Sequence, residues 1–472
     1  MIPRRQTLDL PPVLRRAPRG WRAAGQGLAM LGAAYIGLMV LHRLAPDGPA
    51  AQLVLIGMVL VIGALAGRIA AALGIPRLTG YLLAGVLMSP SLADALHVEP
   101  LLVTHEQAKG LGLLNNLAVG IIGLMAGAEI RAGWLRQRLA GIGRIVVAET
   151  LLVPAALVAV VLAPGWLGIP GFPFVDQAVA QGLPAWLAAA VVAGVLLANS
   201  PMVVVSVIKE TGANGPLAQT LMGTSVVLDA VVVLLVTILL ALADVLLAGA
   251  STGGALVSAF ASVAAGILAS LVVGGLAGWG LRRYTGHSDH RLEWVVVGLA
   301  LGVSVLGPLI GLKPLFTLLA AGFVFNNQPT WLPGASDLDA ADLAHRRLQG
   351  ALAQVGAPVF VIFFCAAGVS VAVPTLLAVW PLVLALGVVR AGAIWLAVRR
   401  GATALEAPVR RYAWIGLISQ AGVTLALAQL VAGRFPGWGS GLATCVIALV
   451  TVHELIAPPA LVWALRKVGE VK

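Results

Sequence analysis

The sequence predicts an all-α polytopic membrane protein with about fourteen transmembrane helices. Hydrophobic residues make up 60% of the 472 residues and charged residues only 10%, whereas charged residues make up about 25% of an average soluble domain. A chain of this composition cannot cover its surface with polar groups, so it must lie in a lipid bilayer. The net charge of +11 comes from Lys and Arg in short segments between apolar runs, which is the positive-inside pattern. It therefore indicates a membrane orientation and not a nucleic-acid partner.

The chain begins with a basic segment, residues 1–26, that the sequence predicts to be a cytoplasmic tail. A short apolar run follows at 27–44. We interpret it as an extra first transmembrane helix, because it has no convincing signal-peptide cleavage site and many spans follow it. The membrane domain is thus predicted to cover 27–466, and residues 467–472 are predicted to be a second cytoplasmic tail.

Thirteen further apolar runs are candidates to cross the bilayer. They lie at 51–73, 78–90, 111–130, 143–163, 185–208, 217–247, 254–281, 293–306, 312–325, 350–373, 377–399, 409–431 and 440–466. When the runs alternate in direction, Arg-containing loops such as 131–144 and 326–349 fall on one side, whereas the loop 164–184 contains no Lys or Arg. This segregation predicts that both termini are cytoplasmic and that the loop 164–184 lies outside.

Two of the predicted spans are interrupted by polar residues and helix breakers. The interruptions comprise Asn199, Ser200 and Pro201 in one span, and Ser419, Gln420 and Gly422 in the other. Non-helical backbone at membrane depth is tolerated only inside protein or beside water. An ordinary kink explains either break alone, but each broken span lies between two intact ones. Six of the predicted spans lie between the two broken ones, so the two groups of three spans have opposite orientation, which predicts inverted repeats with two crossing discontinuous helices.

A single carboxylate, Asp229, lies near the middle of the apolar run 217–247. An ionisable group at the centre of a membrane helix is costly, so it is a functional-site hypothesis by default. Ser225 precedes it by one helical turn and Thr224 is nearby, on a face that could look at Asn199 and Ser200. A hard cation prefers oxygen ligands of these kinds. The alternative role for Asp229 is a structural ion pair with a buried Arg.

Two other charged positions fall inside predicted spans, Arg390 and Glu149. Arginine stays protonated in proteins, so Arg390 would compensate the negative C-terminal ends of broken half-helices, pair with an acid, or reach the inner surface. Glu149 is its potential partner or a protonated acid at a helix interface. Glu454 and the neighbouring His453 could move protons, although a packed, hydrogen-bonded pair is the favoured interpretation.

Several segments between about residues 50 and 466 resemble, in the same order, those of the cation:proton antiporter superfamily, nearest to its Kef-type and sodium/proton exchanger branch. They are GIPRLTGYLLAGVLMSP, GLMAGAEI, ANSPMVVVSVIKETGANGPL, GTSVVLDAVVVLL, PVFVIFFCAAGVSV and GLISQAGVTLALA. The resemblance implies a homodimer that works by alternating access. It implies an ion-binding core, mainly 143–247 and 377–466, with the remaining helices serving as scaffold and dimerisation domain.

The resemblance also implies that Asp229 occupies the position of the family's essential carboxylate and Arg390 that of a basic residue. Three residues depart from the pattern. Leu228 stands where family members usually have Asp, Asn or Gln, and Asn199 replaces a Thr. Thr224 stands where some proton-coupled members carry Glu. These departures leave the identity of the cation open.

The combined prediction is a secondary active antiporter of a bacterial-type inner membrane that exchanges Na+ or K+ for H+. With Asp229 as the one titrating group placed at the site, the exchange is predicted to be electroneutral. The sequence contains no pattern for an enzyme, a cofactor or a resident metal. Two alternatives remain: a non-transporting or sensory membrane protein on the same fold, and an organic-anion symporter that uses Arg390 and the positive ends of the broken helices.

Overall fold

The computed structural model describes most of the membrane domain. The described residues are 31–32, 49–73, 75–96, 103–104, 107, 112–130, 132–167, 172–248, 252–287, 292–327, 338–369, 371, 373–420, 422–435 and 437–471. The predicted tail 1–26 lies outside these ranges, and so does the predicted helix 27–44 except for residues 31–32. All regular secondary structure within the ranges is helical, which confirms the predicted fold class.

Seventeen α-helices are numbered here in chain order. The first nine are α1 (Pro49–Ala72), α2 (Arg77–Met88), α3 (Pro90–Ala95), α4 (Gly112–Glu129), α5 (Ala132–Leu167), α6 (Pro173–Ala180), α7 (Ala185–Leu197), α8 (Pro201–Thr211) and α9 (Pro216–Ala248). The others are α10 (Thr252–His287), α11 (Leu292–Leu306), α12 (Pro314–Asn326), α13 (Leu338–Val369), α14 (Val373–Gly401), α15 (Ala407–Leu417), α16 (Gly422–Arg434) and α17 (Trp438–Lys467).

These helices include many that suit a bilayer. Within the described ranges, eight helical segments are long and apolar enough to cross a membrane, and the pair α15 and α16 makes a ninth. Three shorter apolar helices, α2, α11 and α12, accompany them. Each predicted span from residue 51 onward coincides with a described helix or a pair of half-helices. The chain is therefore an integral, multi-pass membrane protein, and the predicted number of fourteen spans is compatible with this arrangement.

The predicted loops are more helical than the sequence pattern suggested. Helix α5 begins at Ala132, so the basic segment 131–144 is mostly helix and not a loop. Helix α13 likewise begins at Leu338, well before the predicted start at 350, and α6 lies within the predicted loop 164–184. The reason is that hydropathy marks only the part of a helix that lies in lipid. Ala, Leu, Arg and Gln are good helix formers and continue a helix into water.

Glycine lets α10 and α12 approach closely. A Cβ built on Gly274 would lie 2.0 Å from the Thr317 carbonyl oxygen, and one on Gly278 would lie 2.2 Å from that of Ala321. These contacts join α10 to α12, which also packs against α4. Glycines four residues apart on one helical face allow backbones to touch, as is common in membrane helix packing. A second set of contacts links α5 with α7 and α14, and α16 with α17.

Candidate ion-binding site

The two predicted breaks meet in the structure. Helix α7 ends at Leu197 before α8 begins at Pro201, and α15 ends at Leu417 before α16 begins at Gly422. The half-helices α15 and α16 are inclined by 43° to each other. The backbone N–H of Ser200 donates to the carbonyl oxygen of Ser419 at 2.9 Å. This bond joins one interruption directly to the other, so the two discontinuous helices cross at their breaks.

Pro201 starts a half-helix and does not kink a continuous one. It occupies the first turn of α8, where its missing N–H would have had no helical partner in any case. Ser200 precedes it as the N-cap residue, and its hydroxyl oxygen accepts from the Val203 N–H at 3.2 Å. The Asn-Ser-Pro sequence therefore encodes a helix stop followed at once by a capped helix start.

Arg390 on α14 holds the C-terminal ends of both first half-helices. Its Nε donates to the Leu196 carbonyl oxygen at 2.6 Å, and its Nη2 donates to that of Ala198 at 3.0 Å. Its Nη1 donates to the Ile418 carbonyl oxygen at 2.7 Å, at the end of α15. The side chain is fully buried. A fixed positive charge thus faces the negative ends of two helix dipoles and satisfies carbonyls that have no intrahelical partner.

Asn199 links Arg390 to Glu149 on α5. Arg390 Nη2 donates to Asn199 Oδ1 at 2.8 Å, and Asn199 Nδ2 donates to Glu149 Oε2 at 3.0 Å. The two charged residues are therefore joined through an amide, with no direct ion pair recorded between them in the described chain. Glu149 is fully buried, and its Oε1 has no hydrogen-bond partner.

Gln420 extends this network to the last helix. Its Nε2 donates to the Leu196 carbonyl oxygen at 3.1 Å, and its Oε1 lies 2.8 Å from Nδ1 of His453 on α17. Every side-chain nitrogen and oxygen of Arg390, Asn199 and Gln420 makes a hydrogen bond. We call these three residues the crossing cluster.

Asp229 has the opposite environment. It is fully buried on α9, and neither of its carboxylate oxygens has a hydrogen-bond partner. The hydroxyls of Ser225 and Thr224 are also fully buried and also without a partner. We call Asp229, Ser225 and Thr224 the carboxylate cluster; it presents four orphan oxygens within two turns of one helix. Asp229 makes no hydrogen bond to Asn199 or Ser200.

The contacts of α9 place Asp229 level with the crossing. A Cβ on Gly416 of α15 would lie 2.7 Å from the Leu221 side chain, and one on Gly194 of α7 would lie 3.2 Å from Val236. Residues 221, 225, 229 and 236 are spaced so that they share one helical face. Asp229 lies about two turns from each of these contacts. The face that carries Asp229 and Ser225 is thus the one turned towards both broken helices.

Two features of the site were not anticipated from sequence. Thr424 in the first turn of α16 is fully buried and its hydroxyl has no partner. The sequence feature that could have identified it is a hydroxyl side chain two residues after the second break. His453 bonds Gln420 and no bond to Glu454 is recorded, although the sequence favoured a His453–Glu454 pair. Adjacent residues on a helix point about 100° apart, so they do not face each other. One oxygen of the buried Glu454 has no partner.

Acidic residues at the helix ends are, in contrast, bonded. Glu470 follows α17 and accepts from the Leu217 and Ala218 N–H groups at the start of α9, at 2.7 and 2.9 Å. Glu406 precedes α15 and pairs with Arg138 on α5. The hydrogen bond from Arg138 lowers the pKa of the Glu406 carboxyl below its ordinary value.

Crossed discontinuous helices with a buried charge at the crossing define a secondary membrane transporter. The family comparison agrees with that class. Residues 31–467 match the family described as sodium/hydrogen exchanger, transmembrane. The chain belongs to this family of cation/proton antiporters, and it is a transporter and not an enzyme.

Solved structures show the same fold. The chain is similar to the sodium proton antiporter MjNhaP1 from Methanocaldococcus jannaschii at pH 8, with a TM-score of 0.62 and 17% identity over 88% of this chain and 98% of that one. A second structure of MjNhaP1, from an electron-microscopy map, matches with a TM-score of 0.59 and 17% identity, covering 88% of this chain and 95% of that one. No curated protein matches the sequence significantly.

Proposed function

We propose that this antiporter exchanges one monovalent cation, Na+ or K+, for one proton, and that both bind at Asp229. The observation that carries the proposal is the carboxylate cluster, whose four buried oxygens have no partner in the protein. A buried carboxylate anion is costly when unpaired, so it is expected to hold either a proton or a cation. Sodium is the first cation to test, because the family and the similar antiporter both carry that name.

Competition for Asp229 couples the two ions. A proton on the carboxylate removes the charge that attracts the cation, and a bound cation disfavours the proton. Ser225 and Thr224 offer hydroxyl oxygens to the cation, as a hard ion prefers. Arg390 keeps its charge throughout the cycle. The core, mainly 143–247 and 377–466, would move against the remaining helices and expose Asp229 to each side in turn.

One-for-one exchange follows from the residues that can change charge. Leu228, beside Asp229, is fully buried and cannot titrate or bind a cation through its side chain. A cycle that moves one proton against one monovalent cation transfers no net charge, so the membrane potential, about 2.3 kcal/mol per charge at 100 mV, would not drive it. Among the described residues, Glu149 and Glu454 are the other buried acids, and either could carry an extra proton.

The central experiment is proton flux in everted membrane vesicles challenged in turn with sodium, potassium and lithium. A cation-dependent proton movement with one or more of them is expected. No response to any cation would favour a sensory or non-transporting protein on this fold. A response to organic anions only would favour the symporter, although four of the five Arg390 N–H donors are already occupied by protein acceptors.

The stoichiometry is tested in proteoliposomes with an imposed potential, set by potassium and valinomycin, or by a protonophore if potassium is the substrate. An end point that does not depend on the potential is expected. A shifted end point would show a second charge moving. Glu149→Gln and Glu454→Gln, compared separately, would then identify the acid responsible.

Orientation, assembly and location are also proposed. We infer cytoplasmic termini, a homodimer and a bacterial-type inner membrane, supported by the segregation of basic residues and by the family resemblance. Gln177 on α6 and Thr403 after α14 are both exposed. A cysteine at 177 should react with an impermeant reagent from outside and one at 403 only from the cytoplasm. The native Cys365 and Cys445 are buried, so they give little background.

Exposed apolar residues on α10, such as Val272 and Leu276, are test positions for the dimer. A cysteine placed at either position crosslinks a homodimer only if this helix lies at the interface. A single-copy mass for the detergent-purified protein would contradict the homodimer.

A further inference from the structure

We propose that His453 is a positioning residue that fixes the Gln420 amide and so ties α17 to the helix crossing. The proposal builds on the proposed exchange function but concerns a different helix and a group that makes no hydrogen bond to Asp229. It starts from the hydrogen bonds at Gln420, which allow only one set of donors and acceptors.

The Gln420 amide has a forced orientation. The Leu196 carbonyl oxygen can only accept, so the amide group 3.1 Å from it must be the donating Nε2. The amide oxygen Oε1 therefore points the other way, towards His453 Nδ1 at 2.8 Å. Because an amide oxygen can only accept, the His453 Nδ1 must carry the hydrogen. The network thus fixes both the orientation of the Gln420 amide and the tautomer of the His453 imidazole, in which Nδ1 carries the hydrogen.

Two donors converge on the same backbone carbonyl. The Leu196 oxygen accepts from Gln420 Nε2 and also from Arg390 Nε, at 2.6 Å, so both of its lone pairs are used. The chain from His453 through Gln420 to Leu196 therefore connects α17 and the second break to the end of α7. Arg390 connects the same point to α14. His453 is the only contributor to this set of bonds from α17 in the described chain.

The His453 ring packs against α14. A Cβ built on Gly387 of that helix would lie 3.7 Å from the His453 Nε2, which is an ordinary contact distance. The charged groups near the ring are Arg390, also from α14, and Glu454, the next residue on its own helix. Neither is recorded as its hydrogen-bond partner. The ring's polar contact is thus directed at the crossing.

Loss of the His453 donor would leave the Gln420 oxygen buried without a partner. The amide could then turn away, and the Leu196 carbonyl would lose one of its two donors. The cation ligands proposed above lie on α9 and would remain. We therefore expect a slower exchange cycle with an unchanged apparent KM for the cation. If His453 had a purely structural role, its loss would instead lower the amount of folded protein, and the exchange rate of the protein that does fold would not change.

The test compares His453→Leu, which has no donor, with His453→Asn, whose amide nitrogen can lie near the position of Nδ1. In reconstituted full-length protein, His453→Leu should lower the maximal exchange rate about tenfold, as expected for one buried hydrogen bond, with KM within about twofold. His453→Asn should restore most of the rate. Thr451→Val is the matched control, because the Thr451 hydroxyl bonds only the Ile447 carbonyl of its own helix.

A double-mutant cycle with Gln420→Leu separates this link from other effects. The His453→Leu and Gln420→Leu double variant should be no slower than Gln420→Leu alone. Additive losses, or an Asn variant as slow as the Leu variant, would overturn the proposal. If the His453→Leu protein does not accumulate, His453→Gln replaces it. The glutamine amide nitrogen lies one carbon farther along the side chain than the Nδ1 that it replaces, so the bond to Gln420 is again lost.

The same double-mutant cycle can be measured by thermal unfolding of the purified proteins, and this measurement does not depend on transport. If the wild type moves no cation, the proposed function fails, yet non-additive changes in melting temperature would still support the link. If the wild type exchanges ions and the melting temperatures add, the exchange function stands and the link fails.

Discussion

The crossing cluster and the carboxylate cluster are both buried in the same region, but their polar atoms differ in one respect. All those of Arg390, Asn199 and Gln420 are bonded within the protein, whereas none of the four side-chain oxygens of the carboxylate cluster is. A fully satisfied buried network is rigid and specifies one geometry. A buried polar group without a partner requires an explanation. The difference separates a bonded framework from the oxygens that are proposed to bind the ions.

Magnitudes support this division. A buried donor or acceptor left without a partner costs about 1–3 kcal/mol, and more if it is charged. Four such oxygens on two turns of α9 would cost a large part of a typical stability of about 5–15 kcal/mol. A bound proton or cation removes much of that cost. Leu228, where related proteins usually have a polar side chain, adds no further oxygen to the site.

The largest expected effect is from Asp229→Asn, which removes the group that is proposed to bind both ions. Cation-dependent proton flux should fall to the level of empty vesicles, while the protein folds as well as the wild type because an unpaired carboxylate has been replaced by a neutral amide. Flux in everted vesicles and the elution profile of the purified protein measure the two properties. Full activity in this variant would eliminate the proposed role of Asp229.

Substitutions of Arg390 test whether the crossing cluster is a stabilising framework. Arg390→Ala leaves two carbonyl oxygens and the Asn199 amide oxygen without a donor, and the Leu196 carbonyl keeps only Gln420. A loss of about 3–5 kcal/mol in the free energy of unfolding is therefore expected. Arg390→Lys keeps the charge, but its three donors face four acceptors, so part of the stability and transport should remain. Thermal unfolding of both variants measures this order. An Ala variant equal to the wild type would mean that the four bonds are not needed.

A smaller effect is expected from Ser225→Ala, which removes one oxygen of the carboxylate cluster. The apparent KM for the cation should rise about tenfold, the effect of one lost interaction of about 1.4 kcal/mol, while proton binding at Asp229 persists. Thr237→Val is the matched control on the same helix, because the Thr237 hydroxyl bonds the Val233 carbonyl. Equal KM values for both variants would remove Ser225 from the cation site.

Glu470 is the bonded counterpart of Asp229, since it caps the first turn of the same helix. Glu470→Ala should lower the free energy of unfolding by about 0.5–2 kcal/mol, as for other helix caps, and should leave the KM for the cation unchanged. Gly215→Ala should have a similar effect, because a Cβ there would lie 2.4 Å from the Glu470 carboxyl carbon. Melting temperatures compared with that of the exposed-site variant Thr403→Ala measure it.

The smallest effect is expected for Glu406, whose carboxylate is bonded but exposed. Its pKa is lowered by the hydrogen bond from Arg138, so the folded state binds the proton less readily than the unfolded chain. The pair therefore contributes stability above the ordinary pKa of 4.5 and loses it as the pH falls through the lowered value. About 0.2–1 kcal/mol is expected for an exposed pair. The melting temperatures of Glu406→Gln and the wild type should differ at pH 7 and converge as the pH falls through the lowered pKa of Glu406.

The sequence by itself determined the membrane class, the spans from residue 51 onward and the two breaks. Hydropathy and interruptions by polar residues, Pro or Gly are local properties of the sequence, and each follows from the free energy of placing those residues in lipid. The sequence also singled out Asp229, because one carboxylate in a long apolar run is conspicuous without knowledge of its neighbours. The lengths of α5 and α13 were underestimated because hydropathy does not detect helix that continues into water.

Only the tertiary structure decided which polar groups have partners. Nothing in the local sequence joins Asn199 to both Glu149 and Arg390, which lie 50 and 191 positions away. The bond between His453 and Gln420 and the orphan hydroxyl of Thr424 likewise depend on how α16 and α17 pack beside the crossing. Hydrogen bonds act over about 3 Å in space and not along the chain. For that reason the candidate site residues could be proposed from sequence, whereas their division into bonded and unbonded groups could not.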